Sequence, residues 1–133
     1  MVLSTDNDPD FTDEFCSFLQ RSVTSVDAAE LLLLLAESPD RSWGVVELQA
    51  QLAAATTLSE VDVLRCLDAF QQGAVVARQA DKSFRYRPSP SHDAHVATLA
   101  RLYLERPVTL FRVIYALRDA KIKTFADAFR LRE

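Results

Sequence analysis

Four cationic side chains lie within a short stretch in the middle of the chain: Arg78, Lys82, Arg85 and Arg87. Guanidinium and ammonium groups neutralise the backbone phosphates of nucleic acids, and arginine also enters narrow minor grooves. The residues on either side of the polar segment 79–82 are strand-like, which predicts a β-hairpin that lacks an Asn-Gly or Asp-Gly turn. We therefore expect a basic hairpin that holds phosphates.

The second strand of this hairpin alternates apolar and basic residues. Side chains on a strand alternate between its two faces, so Arg85 and Arg87 share one face, while Phe84 and Tyr86 share the other. The two aromatic rings are better explained as core residues than as platforms for stacked bases.

The segment before the hairpin has the signals of a helix with both ends marked. Ser59 followed by Asp62 resembles a capping box, and Gly73 stands where a helix end often needs a left-handed backbone. Between them, four residues recur with helical spacing and should form the buried stripe: Val63, Cys66, Leu67 and Phe70.

The opposite face of this helix offers two side chains suited to reading base edges, Arg65 and Gln72. Thr57 and Ser59, near the helix start, could donate hydrogen bonds to phosphate. Asp62 and Asp68 lie on the same face and would repel phosphates, since the charges have the same sign.

A shorter helix is expected at residues 44–53, joined to the next one by a few residues. Two such helices followed by a glycine and a hairpin resemble the winged helix-turn-helix family of bacterial transcription regulators, broadly the MarR-like ones. The resemblance covers about half of the chain, and it is carried by Glu47, Leu48, Val63, Leu67, Phe70, Gly73, Ala74, Val75, Arg85, Tyr86 and Arg87. It implies a DNA-binding transcription regulator that contacts double-stranded DNA.

The expected fold is mostly α-helical with a small β-hairpin, a winged helix-turn-helix with flanking helices. Residues 1–22 would form a tail and a helix that begins at Asp10, with its apolar stripe at Phe11, Phe15, Phe18 and Leu19. Residues 23–88 would form the winged helix, opening with a capped leucine-rich helix that ends at Glu37 and a short edge strand at residues 41–43.

Residues 89–133 form the C-terminal extension, with helices expected at about 90–105, 108–117 and 124–132. Proline suits the first turn of a helix, which explains Pro90. In regulators of the family that the chain resembles, such helices commonly form a dimer interface, so a homodimer is expected. The alternative is that they only cover the core of a monomer.

Charge is distributed unevenly along the chain. Residues 1–70 hold 13 acidic and 3 basic side chains, whereas residues 71–133 hold 6 acidic and 12 basic ones, although the overall charge is only −4. A basic face formed by the second half would attract phosphate. The alternatives for this asymmetry are an ordinary solvated surface, or pairing of the two halves within a monomer or dimer. The alternative function is that of a winged-helix adaptor that binds a protein, for example in the transcription machinery, and not DNA.

Other function classes find little support. Cys16 and Cys66 are interpreted as reduced thiols of a cytoplasmic protein, and the run of five leucines is far too short to span a membrane. His92 and His95 have a metal-compatible spacing but no further ligand beside them, so neither a metal nor a cofactor is expected. With two glycines the chain has no phosphate loop, and no catalytic signature indicates an enzyme.

A ligand-responsive regulator is a further possibility. Tyr103, Phe111 and Tyr115 could line a pocket among the C-terminal helices, although packing in the core would explain these aromatic residues as well.

Overall fold

The computed structural model describes residues 9–52 and 58–118. The described residues are mostly helical and form six helices: α1 (Asp13–Ser22), α2 (Val26–Glu37), α3 (Val45–Leu52), α4 (Glu60–Gln72), α5 (Pro90–Glu105) and α6 (Pro107–Leu117). The predictions for the N-terminal tail before residue 9, for the link at residues 54–57 and for a last helix near residues 124–132 fall outside the described residues.

Three short strands form one antiparallel sheet: β1 (Ser42–Trp43), β2 (Val76–Arg78) and β3 (Phe84–Tyr86). β3 lies in the middle, because the strand order is β1-β3-β2. Ser42 is opposite Arg85 on one side of β3, and Ala77 is opposite Arg85 on the other. The predicted edge strand and the predicted hairpin are both confirmed.

The leucine-rich helix α2 lies at the centre of the fold. It begins after Ser25, whose hydroxyl accepts a hydrogen bond from the Ala28 amide at 3.0 Å. It packs against α3, α4, α5 and β3. Leu31, Leu32 and Leu35 are completely buried, which agrees with a helix that is apolar nearly all round.

The first helix starts later than predicted. Thr12 is the N-cap of α1, and its hydroxyl accepts a hydrogen bond from the Phe15 amide at 3.1 Å. Asp10 does not begin the helix because its carboxylate is bound by two arginines, Arg101 at 2.5 Å and Arg106 at 2.8 Å. The prediction that the helix begins at Asp10 is therefore wrong.

Helix α4 begins as predicted and ends differently. Ser59 and Asp62 form a reciprocal capping box. At the other end Gly73 has φ −82°, so the prediction of a left-handed glycine is wrong, and the left-handed residue is Ala74 with φ 59°. The Ala74 amide donates to the Gln71 carbonyl and the Val75 amide to the Phe70 carbonyl, which is a Schellman motif.

None of the helices in residues 9–52 and 58–118 is both long enough and apolar enough to cross a membrane.

Candidate nucleic-acid interface

The predicted phosphate-binding side chains lie on a hairpin closed by its own hydrogen bonds. The Gln79 amide donates to the Ser83 carbonyl at 2.8 Å, and Asp81 accepts from the Ser83 amide at 3.0 Å. Lys82, at the tip, has a left-handed backbone with φ 70° and is exposed. The turn therefore holds the Lys82 ammonium group out in solvent, where it could meet a phosphate.

The four cations of the hairpin are divided between its two faces. Arg78 is opposite Phe84, and its guanidinium lies 5.8 Å from the centre of that ring. Arg85 lies on the other face, beside Ala77. Arg87 is exposed, and its amide donates to the Val75 carbonyl at 2.9 Å, which continues the ladder beyond β3. Since side chains alternate along a strand, Arg87 lies on the face of Arg85.

Arg85 is already occupied within the fold. Its Nε donates to the Pro39 carbonyl at 3.2 Å, and its Nη2 lies 3.5 Å from the Asp40 carboxylate. Asp40 is almost fully exposed, so the attraction between these two charges is weak. These two contacts link Arg85 to the turn between α2 and β1. Arg85 would have to leave Asp40 to bind a phosphate with its whole guanidinium group.

The residues predicted on α4 have different surroundings. The Ser59 hydroxyl is committed to the capping box with Asp62, at 3.0 Å, and is not available as a simple phosphate donor. The Arg65 side chain is 77% exposed, and its guanidinium is 3.9 Å from the Asp62 carboxylate. Gln72 is exposed at the end of the helix. Thr57 lies outside the described residues.

The exposed face of α4 is acidic and partly apolar. Glu60, Asp62 and Asp68 outnumber Arg65 on this face. The backbone and hydroxyl of Ser59 lower the pKa of Asp62, which keeps this carboxylate ionised. Such a face repels a phosphate backbone.

Two apolar side chains are exposed beside these charges, Val61 at 57% and Leu64 at 41%. Leu64 borders the buried stripe, and its exposure depends on where neighbouring helices stop, which periodicity does not show.

The histidine pair has packing partners. The His92 and His95 ring centres are 6.4 Å apart, and both rings pack against Phe18. Within residues 9–52 and 58–118, no group of three or more His, Cys, Asp and Glu side chains could hold a metal ion. Cys16 and Cys66 are both free thiols.

A large cavity lies elsewhere, between α2 and α5, with a volume of about 710 Å³. Of the three aromatic residues predicted to line a pocket, only Tyr103 lines this one. The Phe111 ring packs edge-on against Tyr103 at 5.7 Å, and Tyr115 is exposed on α6. The lining carboxylates, those of Glu30, Glu37 and Asp93, come from helices whose pairing was not evident in the sequence.

No protein-family model matches the chain, and neither a curated protein nor a solved structure is significantly similar to it. A function for this protein must therefore be inferred from its own side chains.

Proposed function

We propose that this protein is a winged helix-turn-helix regulator of transcription that binds double-stranded DNA. The observation that carries the proposal is the order of the elements, α2-β1-α3-α4-β2-β3, with strand order β1-β3-β2 in the sheet. The short helix α3 packs against α4, and α4 leads directly into β2 of the hairpin. In a winged helix, this arrangement presents the second helix and the hairpin to the duplex.

Charge supports a binding mode in which the hairpin contributes most. Four cations and one acidic residue, Asp81, lie between residues 76 and 87, whereas carboxylates predominate on the exposed face of α4. Arg78, Lys82 and Arg87 would hold phosphates, and Arg85 would join them after leaving Asp40. Arg65 and Gln72 would be the side chains of α4 that approach base edges.

A homodimer in the cytoplasm completes the proposal. Val108 and Tyr115 are exposed apolar residues seven positions apart on α6, so they share one face of the helix. Burial of this face between two copies would pair two DNA-binding surfaces, and two paired surfaces would read two half-sites. Sedimentation of the wild type and of Val108→Glu tests this part of the proposal, because the introduced charge should dissociate a dimer that uses α6.

The experiment for DNA binding is a salt titration of affinity for mixed duplex DNA, followed by fluorescence anisotropy. The variant combines Arg78→Gln, Lys82→Asn and Arg87→Gln, and asparagine is chosen because it tolerates the left-handed backbone at position 82. Each phosphate contact that is lost should reduce the slope of log K against log salt by about 0.9. Arg21→Gln, which removes one exposed cation from α1, is the control.

We expect steeply salt-dependent binding by the wild type and by Arg21→Gln, and a shallower dependence for the hairpin variant. Absence of binding by a folded wild type at low salt would refute the proposal. Equal slopes for the wild type and the hairpin variant would refute the assigned phosphate contacts while leaving DNA binding intact.

A second candidate function is that of an adaptor that binds another protein through α4. The exposed Val61 and Leu64 beside Glu60 and Asp68 favour this function, because apolar groups framed by charge are typical of protein interfaces. The combined change Glu60→Gln and Asp68→Asn distinguishes the two functions. If α4 faces DNA, removal of these charges should strengthen DNA binding several-fold; if α4 faces a protein, DNA affinity should stay unchanged.

A further inference from the structure

The cavity between α2 and α5 has the size of a ligand site. Its volume of about 710 Å³ falls within the roughly 300–1,000 Å³ that small-molecule sites occupy. Leu33 and Leu34 of α2 form one wall, and Val96, Ala97 and Ala100 of α5 form the other. The two alanines leave space there that larger side chains would fill.

The charged groups among the described lining residues of the cavity are all negative. Three carboxylates line it, those of Glu30, Glu37 and Asp93, and no Lys, Arg or His is among the described lining residues. These carboxylates attract a positive charge. Water partly screens the attraction at the exposed Glu37 and Asp93 and screens it less at the half-buried Glu30. An anion of the same shape would be repelled.

Two tyrosines hold two of the carboxylates in place. The Tyr103 hydroxyl donates to Glu30 at 2.5 Å, and the Tyr86 hydroxyl donates to Asp93 at 2.8 Å. The hydrogen bond to Glu30 raises the pKa of Tyr103 to about 12, and burial together with Asp93 raises the pKa of Tyr86. Both phenols therefore stay protonated and donate their hydrogen bonds to these carboxylates.

We propose that this cavity binds a lipophilic organic cation of drug size. The alkyl or aryl body of the ligand would displace water from the leucine and alanine walls. Its cationic centre would lie near Glu30, Glu37 and Asp93, and the Tyr103 ring would offer an additional cation–π contact. The proposal does not depend on DNA binding, because it uses none of the four cations of the hairpin and no residue of α4.

Two ions of nearly identical shape and opposite charge test the proposal. Isothermal titration calorimetry of the full chain would compare tetraphenylphosphonium with tetraphenylborate. We expect the cation to bind at least about tenfold more tightly, because tenfold corresponds to only about 1.4 kcal/mol and the three carboxylates all favour the cation. Glu37→Gln should weaken binding of the cation several-fold, whereas Glu60→Gln, on α4, should leave it unchanged.

Filling the cavity provides the second line of evidence. Ala97 is exposed on the cavity wall, so Ala97→Trp adds a large ring without displacing buried atoms, and it should abolish binding of the cation. Glu37 is also exposed, so Glu37→Gln gives a result even if the tryptophan variant does not fold.

Three outcomes would overturn the proposal. The first is that neither ion binds, and the second is that both bind equally well. The third is that Ala97→Trp dissociates a dimer in sedimentation, which would show that a second copy of the chain covers the cavity.

Discussion

The Ser22 hydroxyl lies in the space that a Cβ atom at position 73 would occupy. Ser22 ends α1 and Gly73 follows α4, so the two residues meet where these helices pack together. Ser22 is only 2% exposed, and its buried hydroxyl has no hydrogen-bond partner among the described residues. The close approach of Ser22, and not the backbone conformation, thus favours glycine at position 73.

A double-mutant cycle tests this relationship. Gly73→Ala should lower the free energy of unfolding by about 1–3 kcal/mol, because the new methyl group overlaps the Ser22 hydroxyl. Ser22→Ala removes an unsatisfied buried hydroxyl and should be nearly neutral. In the Ser22→Ala background Gly73→Ala should be nearly neutral too, since its nearest contact becomes an ordinary 3.4 Å to the Ala69 carbonyl. Urea denaturation of the four proteins measures the coupling, and additive effects would contradict the account.

Ala74→Gly should stabilise the protein. Ala74 holds the left-handed position of the Schellman motif at φ 59°, a conformation that costs an L-residue about 1–2 kcal/mol and glycine almost nothing. The greater freedom of glycine in the unfolded chain offsets part of this effect. We therefore expect the free energy of unfolding, measured by thermal denaturation, to rise by about 0.5–1 kcal/mol. Ala77→Gly, within β2, is the matched control and should destabilise. A loss of stability in Ala74→Gly would disprove the strain at this position.

The protein should become less stable as the pH of the solution falls, because the His95 ring is partly buried. Burial of its ring, whose centre lies 5.4 Å from that of Phe18 and 5.9 Å from that of Phe15, lowers the pKa of His95. The charge of His92 lowers it further, and Glu14 opposes these effects. As the pH falls, His95 therefore becomes protonated at a higher pH in the unfolded chain than in the folded protein. His95 does not affect stability at a pH well above 6.5, the ordinary pKa of histidine. The loss of stability grows as the pH falls from that value toward the lower pKa of the folded protein.

Denaturant unfolding of the wild type and of His95→Gln, between about pH 7.5 and pH 5, measures this contribution. The wild type should lose more stability across the window than His95→Gln does. His92→Gln is an intermediate case, because it removes the neighbouring positive charge but leaves His95 buried. Parallel curves for the wild type and His95→Gln would contradict the assignment.

Cys66 should be a poor nucleophile. Burial is the main cause that raises the pKa of its thiol to about 11, and the nearby Asp27 and Asp62 carboxylates raise it further. The thiolate is the reactive form, and a pKa of about 11 in place of 9.0 leaves about a hundredfold less thiolate near neutral pH, so alkylation should be slow. Peptide mapping after iodoacetamide treatment would follow the rate. Leu64→Cys on the exposed face of α4 is the reference, and labelling of Cys66 at the rate of that introduced thiol would contradict the prediction.

Features that depend only on residues a few positions apart, such as helix caps and strand faces, could be predicted from the sequence. Ser59 and Asp62 form their capping box three positions apart, and Ser89 and Pro90 start α5 in the same local way. The hairpin and its aromatic inner face follow from alternation, since Phe84 and Tyr86 are both buried. These features need only helical or strand geometry.

Features that depend on distant partners were not predictable. Asp10 was expected to start a helix, but it pairs with Arg101 and Arg106, which are more than 90 positions away. The sequence predicts that Gly73 is a left-handed helix cap. The close contact with Ser22, which favours glycine at this position, is visible only in the structure. The sequence predicts a pocket among the C-terminal helices, whereas the cavity lies between α2 and α5. Nothing in either helix alone indicates that the two are neighbours.

The enclosure of α1 has a consequence for synthesis of the protein. α1 packs against α4, α5 and α6, and the Gln20 side chain donates to the Leu117 carbonyl, 97 positions later. The ribosome makes α1 first and two of these three partners last among the described elements. The phenylalanine stripe of the nascent helix therefore stays incompletely covered until α5 and α6 have been made, which is an interval in which chaperones bind exposed apolar segments.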